Sequence, residues 1–331
     1  MKRQQKKKQN TNKGFLAAHW WQMAVLGVLF FVLFFSPGQN PLISILLSTS
    51  PATVSHTELP LPPIHPYPVN VTGVYPGEDI SASGIVVLDA DSMVYLYKRN
   101  EGMHLSPAST TKILTALVAL DTYKLDDIVQ IGKVENDGQV MGLVPGEKIT
   151  VENLLYGALI HSGNDAAYAL ADYYPGGRSA FVAEMNRKAK SIGMAESSFT
   201  NPAGYDGETH KVTALDLSRL AVAALSNPTI MKMVAIPQIT ISDVSHSIYH
   251  KLTNVNQLLG KIPGVAGIKT GWTEEAGENL ITLVDRGGRR IIFVVLRSLD
   301  RFGDTTKLID WAFYNYRFVD VAGEIEGATY P

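Results

Sequence analysis

The chain has 331 residues and a formal net charge of −2 at pH 7, with 29 lysines and arginines against 31 aspartates and glutamates. Six of these bases lie within the first 13 residues, so the rest of the chain is acidic and gives no support to nucleic-acid binding as the main role. There is no cysteine, which excludes disulfides, thiolate catalysis and cysteine-based zinc sites.

The first candidate element is an apolar stretch at residues 15–35, which follows the basic segment 1–14. The stretch is long enough to cross a bilayer as a helix. Its densest part, residues 23–35, also fits the hydrophobic region of a cleaved signal peptide. No clear Ala-x-Ala cleavage site follows, which favours an uncleaved transmembrane anchor. Because positive residues stay in the cytoplasm, both alternatives place the rest of the chain outside it, either as a single-pass protein of the cell membrane or as a secreted protein.

Residues 36–77 contain nine prolines, which disfavour regular elements and predict an extended extracytoplasmic linker. A folded catalytic domain is then predicted for residues 78–320, followed by a short tail at 321–331. This sequence ends soon after its last predicted helix, so we expect membrane attachment at the N-terminus.

Within residues 78–320 the pattern predicts two strands, a block of helices, three strands and a final helix. Strands segregated from helices favour an α+β fold with an antiparallel sheet of about five strands, into which the helical block is inserted. The predicted strands are 84–89, 92–97, 127–131, 140–144, 267–272, 279–284 and 290–296. The predicted helices are 109–121, one capped by Thr150, 165–171, 178–192, one capped by Thr213, 254–259 and 302–316.

Ser109-x-x-Lys112 lies at the start of a strongly apolar predicted helix. Positions i and i+3 share one helix face, so the hydroxyl and the amine can meet. Desolvation in such a setting favours the neutral amine, which can act as a base toward the serine. The alternative is a helix-capping serine beside a lysine whose amine reaches the solvent.

Two further motifs follow in the chain. Ser162-Gly-Asn164 lies between two predicted helices, where its hydroxyl and its amide can project into a cleft. The alternative is a polar kink in which the asparagine caps the next helix. Lys269-Thr270-Gly271 lies on a predicted strand and presents a cation and a hydroxyl to an anion, while the glycine permits close approach of another backbone. Alone, it also fits a strand end with an exposed lysine.

In this order, the three motifs resemble the signature of the penicillin-recognising serine enzymes. Four stretches are more closely similar to the low-molecular-mass D-alanyl-D-alanine carboxypeptidases, a family of penicillin-binding proteins. The resemblance covers about residues 78–320 and implies a fold of the β-lactamase and transpeptidase type. The stretches are SPASTTKILTA at 106–116, SGNDAA at 162–167, FTNPAG at 199–204 and IKTGWT at 268–273.

The resemblance implies a role for each member of the first two motifs. Ser109 would be the acylated nucleophile and Lys112 its base, while Ser162 and Asn164 would assist proton transfer and substrate positioning. The reaction would remove the terminal D-alanine of a peptidoglycan stem pentapeptide, without a metal or other cofactor. β-Lactams would acylate the same serine.

The resemblance also implies how the substrate is held. Lys269 and Thr270, beside Gly271, would bind its terminal carboxylate, and the backbone N–H groups of Ser109 and Trp272 would form the oxyanion hole. The peptide would add to the edge of the strand that carries Lys269. No Glu-x-x-Leu-Asn stretch follows Ser162, which argues against efficient β-lactam hydrolysis of the class A type.

Two other functions stay open on the sequence alone: a D,D-endopeptidase that cuts peptide cross-links, and a non-catalytic cell-wall-binding module that keeps the fold. A metal site is also conceivable, since His246 and His250 are four residues apart, as in helical metal pairs. The glutamate expected next to the first histidine is missing, which favours two surface or loop histidines.

Overall fold

The computed structural model describes residues 11–35 and 66–319, and the chain divides after Pro63 into two units. In the first unit, residues 11–35 form helix α1 (Thr11–Phe35). Among the described residues, no helix combines the length and the apolar character that crossing a membrane requires. The basic residues 1–10, most of the predicted linker (36–65) and the predicted tail 321–331 lie outside the described residues.

The second unit contains strands and helices in the segregated order that the sequence predicts. Its strands are β1 (Tyr67–Asn70), β2 (Gly84–Asp89), β3 (Tyr95–Arg99), β4 (Ile128–Gln130), β5 (Lys148–Thr150), β6 (Gln238–Ser242), β7 (Tyr249–Thr253), β8 (Val265–Thr273), β9 (Gly277–Arg286), β10 (Arg289–Ser298) and β11 (Tyr316–Val319). Its helices are α2 (Lys112–Thr122), which follows the 3-10 turn Ala108–Thr111, α3 (Val151–Leu159), α4 (Asn164–Asp172), α5 (Gly177–Ser191), α6 (Ala214–Leu225), α7 (Pro228–Val234) and α8 (Arg301–Asn315).

Five of the strands form one antiparallel sheet in the order β3-β2-β10-β9-β8. The first hairpin of the unit therefore pairs with its last three long strands, and the helices α2 to α7 are inserted between them. This arrangement confirms the predicted α+β class and the predicted sheet. It leaves β8, the strand that carries Lys269, at one edge.

Both faces of the sheet are covered by apolar side chains. Val86 and Leu88 of β2 belong to the core that contains α2 and the other inserted helices. Ile85 and Val87, which point to the opposite face, belong to a second core built around α8. A strand buried on both faces reads as a continuous apolar run rather than as an alternating one, which explains why the central strands are so rich in valine and isoleucine.

Local capping sets the start of several helices. The hydroxyl of Thr150 accepts a hydrogen bond from the Asn153 N–H at the start of α3, and Thr213 accepts one from Asp216 N–H at the start of α6. Both caps were predicted from the sequence. Helix α7, which was not predicted, begins with proline after Asn227, whose side chain caps it.

The structure differs from the predicted elements in several places. Residues 140–144 are irregular rather than a strand, because the N–H groups of Met141, Gly142 and Leu143 donate to the carboxylate of Asp165 instead of to a neighbouring strand. Residues 254–259 form turns rather than a helix, and the hairpin of β6 and β7 was missed.

A further difference lies where the linker was predicted to meet the domain. Strand β1 falls within the range 36–77 and pairs with β11, with Tyr67 opposite Val319. The last helix ends one residue earlier than predicted, because α8 ends at Asn315 and the chain continues as β11. The residues just before position 78 therefore pack as part of the second unit.

Candidate active site

A cleft of about 600 Å³ opens between the inserted helices and the edge strand β8. Six of the eight residues predicted for the site line it, and the other two, Lys112 and Lys269, are buried behind it and bonded to lining residues. The structure thus brings all eight together from three distant parts of the chain. The six lining residues are Ser109, Ser162, Asn164, Thr270, Gly271 and Trp272.

Ser109 lies in the 3-10 turn that leads into α2, and Lys112 is the first residue of that helix. The spacing of three residues places Lys112 Nζ 2.7 Å from Ser109 Oγ, as the sequence predicted. Ala108, just before the serine, has φ +49°, a backbone conformation that costs a non-glycine residue free energy. Such a conformation is typical of positions where the surrounding structure fixes a functional group.

The amine of Lys112 is completely buried and has three oxygen neighbours. Nζ lies 2.7 Å from Ser109 Oγ, 2.7 Å from Asn164 Oδ1 and 2.7 Å from the carbonyl oxygen of Ala203. The amide and carbonyl oxygens can only accept. A neutral amine has two N–H groups for them and one lone pair left, which then faces the serine hydroxyl. The geometry therefore suits a lysine that takes the proton of Ser109.

The electrostatics favour that neutral form. Burial lowers the pKa of Lys112 well below its ordinary value, and the nearby cation of Lys269 lowers it further, while Asp165 acts in the opposite direction. Desolvation dominates because an ammonium loses its hydration inside a protein and the neutral amine loses much less. Perturbed lysines in clefts are candidates for catalytic bases.

Ser162 and Lys269 form the second pair of the site. Ser162 lies between α3 and α4 at φ +63°, and its Oγ accepts a hydrogen bond of 2.8 Å from Lys269 Nζ. Lys269 also donates to the carbonyl of Thr270 at 3.1 Å. Burial, with a smaller effect of the Arg301 cation, lowers the pKa of Lys269 to about 7. The second lysine is therefore balanced between its two protonation states near neutral pH.

Gly271 lies where β8 passes the nucleophile turn. A Cβ at this position would be 3.0 Å from Ala108 Cβ, from Pro107 O and from the backbone nitrogen of Ser109. The contact agrees with the prediction that Gly271 permits close approach of another backbone. From β9, Asn279 donates to the carbonyls of Ser106 and Pro107 and so ties the nucleophile turn to the sheet.

Several cleft residues were not predicted from the sequence. Arg301, at the start of α8, lines the cleft and donates from Nη1 to the carbonyl of Gly271 at 2.8 Å. Residues 137–139 form one wall, and the backbone N–H of Asn164 donates to the carbonyl of Gln139. Tyr205 lines the cleft beside this wall. These residues belong to no motif, although Tyr205 directly follows the FTNPAG stretch.

The two histidines considered as a metal pair are far from equivalent. His250 is buried, and its Nε2 lies 2.8 Å from Glu147 Oε1, so the prediction of a surface or loop histidine is wrong for this residue. Its position on the inward-facing side of β7 explains the burial. His246 lies in the loop between β6 and β7 and contacts Ser242. Within the described ranges, no three histidine or acidic side chains are grouped so that they could hold a metal ion.

Comparison with known proteins agrees with the geometry. Residues 70–299 match a family model described as D-alanyl-D-alanine carboxypeptidase. The chain is 34% identical over 245 residues to D-alanyl-D-alanine carboxypeptidase DacF of Bacillus subtilis, which covers 71% of this chain and 63% of the relative. It is 32% identical over 244 residues to a D-alanyl-D-alanine endopeptidase of Pseudomonas aeruginosa, covering 71% of this chain and 78% of the relative. The Streptomyces K15 DD-transpeptidase has a similar structure, with a TM-score of 0.69 and 32% identity, over 73% of this chain and 99% of that one.

Proposed function

The chain belongs to the D-alanyl-D-alanine carboxypeptidase family, and we propose that it is a serine D,D-carboxypeptidase that acts through an acyl-enzyme on Ser109. Its substrate would be the D-alanyl-D-alanine end of a peptidoglycan stem pentapeptide. The observation that carries the proposal is the buried Lys112 amine, held 2.7 Å from Ser109 Oγ by two oxygens that can only accept.

The reaction follows from this geometry. Ser109 Oγ attacks the carbonyl carbon of the penultimate D-alanine while its proton passes to Lys112 Nζ. The tetrahedral intermediate collapses as the C–N bond breaks, and the leaving D-alanine takes the proton from Lys112. Water then attacks the ester carbonyl carbon, and its proton passes through the Lys112 amine to Ser109 Oγ. The ester C–O bond breaks, which restores the serine hydroxyl and releases the shortened peptide.

Cations at one end of the cleft support recognition of the terminal carboxylate. Lys269 on β8 donates to Ser162 Oγ, and the half-buried Arg301 donates to the β8 carbonyl of Gly271. Thr270, between these two β8 residues, lines the cleft. A carboxylate would replace hydration that both cations lack. The peptide itself would pair with β8, because an edge strand keeps backbone groups free for an added strand.

A shift of KM with pH is expected from the pKa of Lys269, which lies at about 7. Below this pH the lysine is charged and attracts the carboxylate, and above it the charge is lost. The KM for a pentapeptide should therefore rise as the pH increases through about 7 and beyond. Steady-state kinetics between about pH 6 and pH 9 measure it. A KM that stays constant over this range would contradict the assigned role of Lys269.

Gly271→Ala should lower the rate of Ser109 acylation about tenfold, because its Cβ would press on the backbone nitrogen of Ser109, a proposed oxyanion donor. The rate of labelling by a fluorescent penicillin measures the effect. Gly132→Ala is the matched control, since nothing lies within 4 Å of an added Cβ there. Equal labelling rates for both variants would argue against a tightly fitted contact between β8 and the nucleophile turn.

Two substrates separate the carboxypeptidase from its alternatives. A carboxypeptidase releases D-alanine from a stem pentapeptide, whereas an endopeptidase, the activity named for the Pseudomonas relative, separates a cross-linked peptide dimer. Faster turnover of the dimer would favour the endopeptidase. If the wild-type chain forms no covalent adduct with labelled penicillin, the enzyme proposal fails and a cell-wall-binding module becomes the better explanation.

We further propose that residues 15–35 attach the protein to the cell membrane, with the second unit on the extracytoplasmic side. Support comes from the apolar sequence of this stretch and from the basic residues before it. Membrane fractionation combined with N-terminal sequencing tests the proposal. An intact N-terminus in the membrane fraction is expected, whereas a new N-terminus in the soluble fraction would identify a cleaved signal peptide.

A further inference from the structure

Tyr205 has contacts that the proposed mechanism does not use. Its hydroxyl donates to the carbonyl of Asp137 at 2.7 Å and accepts a hydrogen bond of 3.1 Å from Asn164 Nδ2. Burial raises the pKa of Tyr205, so the phenol keeps its proton and remains a donor at any working pH. One hydroxyl thus connects the wall of the cleft with the asparagine of the second motif.

The amide of Asn164 has only one orientation that satisfies its neighbours. Its Oδ1 accepts from Lys112 Nζ, while the two N–H groups of Nδ2 donate to Asp137 O and Tyr205 Oη. Rotating the amide by 180° would bring its oxygen against the carbonyl oxygen of Asp137 and turn a donor toward Lys112. The Asp137 carbonyl and the Tyr205 hydroxyl therefore keep an acceptor pointed at the lysine.

Tyr205, Tyr168 and Arg178 stack on one another beside the wall of the cleft, and two of them contact this part of the chain. Tyr205 stacks on Tyr168 with ring centroids 5.9 Å apart, and the guanidinium of Arg178 lies 4.1 Å from the Tyr168 centroid. Arg178 also approaches Glu135, two residues before Asp137, at 4.0 Å. Arg178 therefore contacts the chain at Glu135, just before the wall, and the Tyr205 hydroxyl contacts the wall itself at Asp137.

Gly138 shows how closely this wall packs on the asparagine. It has φ +69°, and a Cβ there would lie 2.7 Å from Asn164 Nδ2. Only a glycine lets the chain turn over the amide at this distance. The position of the wall and the orientation of the amide are therefore linked.

We propose that Tyr205 is a positioning residue for acylation, which acts through Asn164 on the Lys112 amine. The inference rests on the proposed acylation of Ser109 and adds a residue to it. Without the hydroxyl, Asn164 Nδ2 keeps only the Asp137 carbonyl as an acceptor, so the orientation of the amide is fixed less firmly. The protonated form of Lys112 then loses its Oδ1 partner, which lowers the pKa of the amine further and misplaces the base.

Tyr205→Phe tests the proposal, because it removes only the hydroxyl. Active sites are first titrated with labelled penicillin, and the acylation rate per active site is then measured as a function of pH. We expect a rate about tenfold lower than wild type. We also expect the acidic limb of the pH profile to move to lower pH, a change that a purely structural contact would not produce.

Tyr123→Phe is the matched control, since it removes a buried tyrosine hydroxyl that donates to the carbonyl of Leu170, away from the cleft. Its acylation rate and pH profile should equal those of wild type. Should Tyr205→Phe fail to fold, Gly138→Ala tests the same link from the wall side and should shift the limb in the same direction. A Tyr205→Phe rate within about twofold of wild type, with an unshifted limb, overturns the proposal. A wild-type chain that takes up no label would instead refute the proposed function.

Discussion

Replacing Ser109 by alanine is expected to abolish covalent labelling by penicillin and to reduce D-alanine release by about 10⁴-fold or more. Ser109 Oγ is the protein atom that forms the covalent bond to the substrate in the proposed mechanism, so acylation cannot occur when it is removed. Alanine fits the turn, because Ser109 uses its side chain only to contact Lys112 in the described structure. The folded state should therefore persist.

The measurement is gel fluorescence after exposure to labelled penicillin, together with D-alanine release from a pentapeptide. Ser191→Ala, at the exposed end of α5 and outside the cleft, is the matched control and should be labelled like wild type. Thermal unfolding of both variants verifies that they are folded. Labelling that persists in Ser109→Ala would place the nucleophile elsewhere and refute the proposed mechanism.

Lys112→Met should slow acylation about 10³-fold, because the serine keeps its position but loses its base. Methionine approximates the length of the lysine side chain without its amine. The free energy of unfolding should change little, because the substitution has two opposite effects on it. Two buried oxygens lose a donor, which costs about 1–3 kcal/mol each, but the desolvation of a buried amine also disappears.

Lys112→Arg separates a base from a mere cation. A guanidinium stays protonated in proteins and cannot accept the serine proton, so this variant should lose acylation as severely as the methionine variant. Stopped-flow kinetics with labelled penicillin give both rates. The control is Lys188→Met, which removes a surface ion pair between Lys188 on α5 and Asp121 on α2. If the arginine variant acylates at a rate close to wild type, Lys112 contributes charge rather than basicity.

The sheet and the motif residues could be predicted from the sequence because each depends on a local pattern. Runs such as 291–296 are apolar at every position, as expected for a strand that is covered on both faces. The three motifs each keep their chemistry within a few residues, so their identity could be read without knowing the fold. That the three motifs meet in one cleft could be predicted only from the family resemblance. In the structure, residues of all three motifs line the same cleft.

The cleft wall could not be predicted in the same way. Residues 137–139 have no side-chain pattern of their own, and they reach the site through backbone groups that accept from Asn164 and Tyr205. A carbonyl has no residue identity, so the sequence carries no signal for it. Residues 140–144 looked like a strand for a related reason, since the carboxylate that binds their N–H groups lies on a helix more than 20 residues later.

The pairing of β1 with β11 brings the two ends of the described part of the second unit together, with Tyr67 directly opposite Val319. A short linker could therefore join these two ends, and new ends could be opened in an exposed loop, as in a circular permutation. The same geometry would let the unit be inserted into a loop of a host protein without stretching either strand. The residues that line the cleft lie between positions 109 and 301, so a linker between β1 and β11 would leave the chain that forms the cleft unchanged.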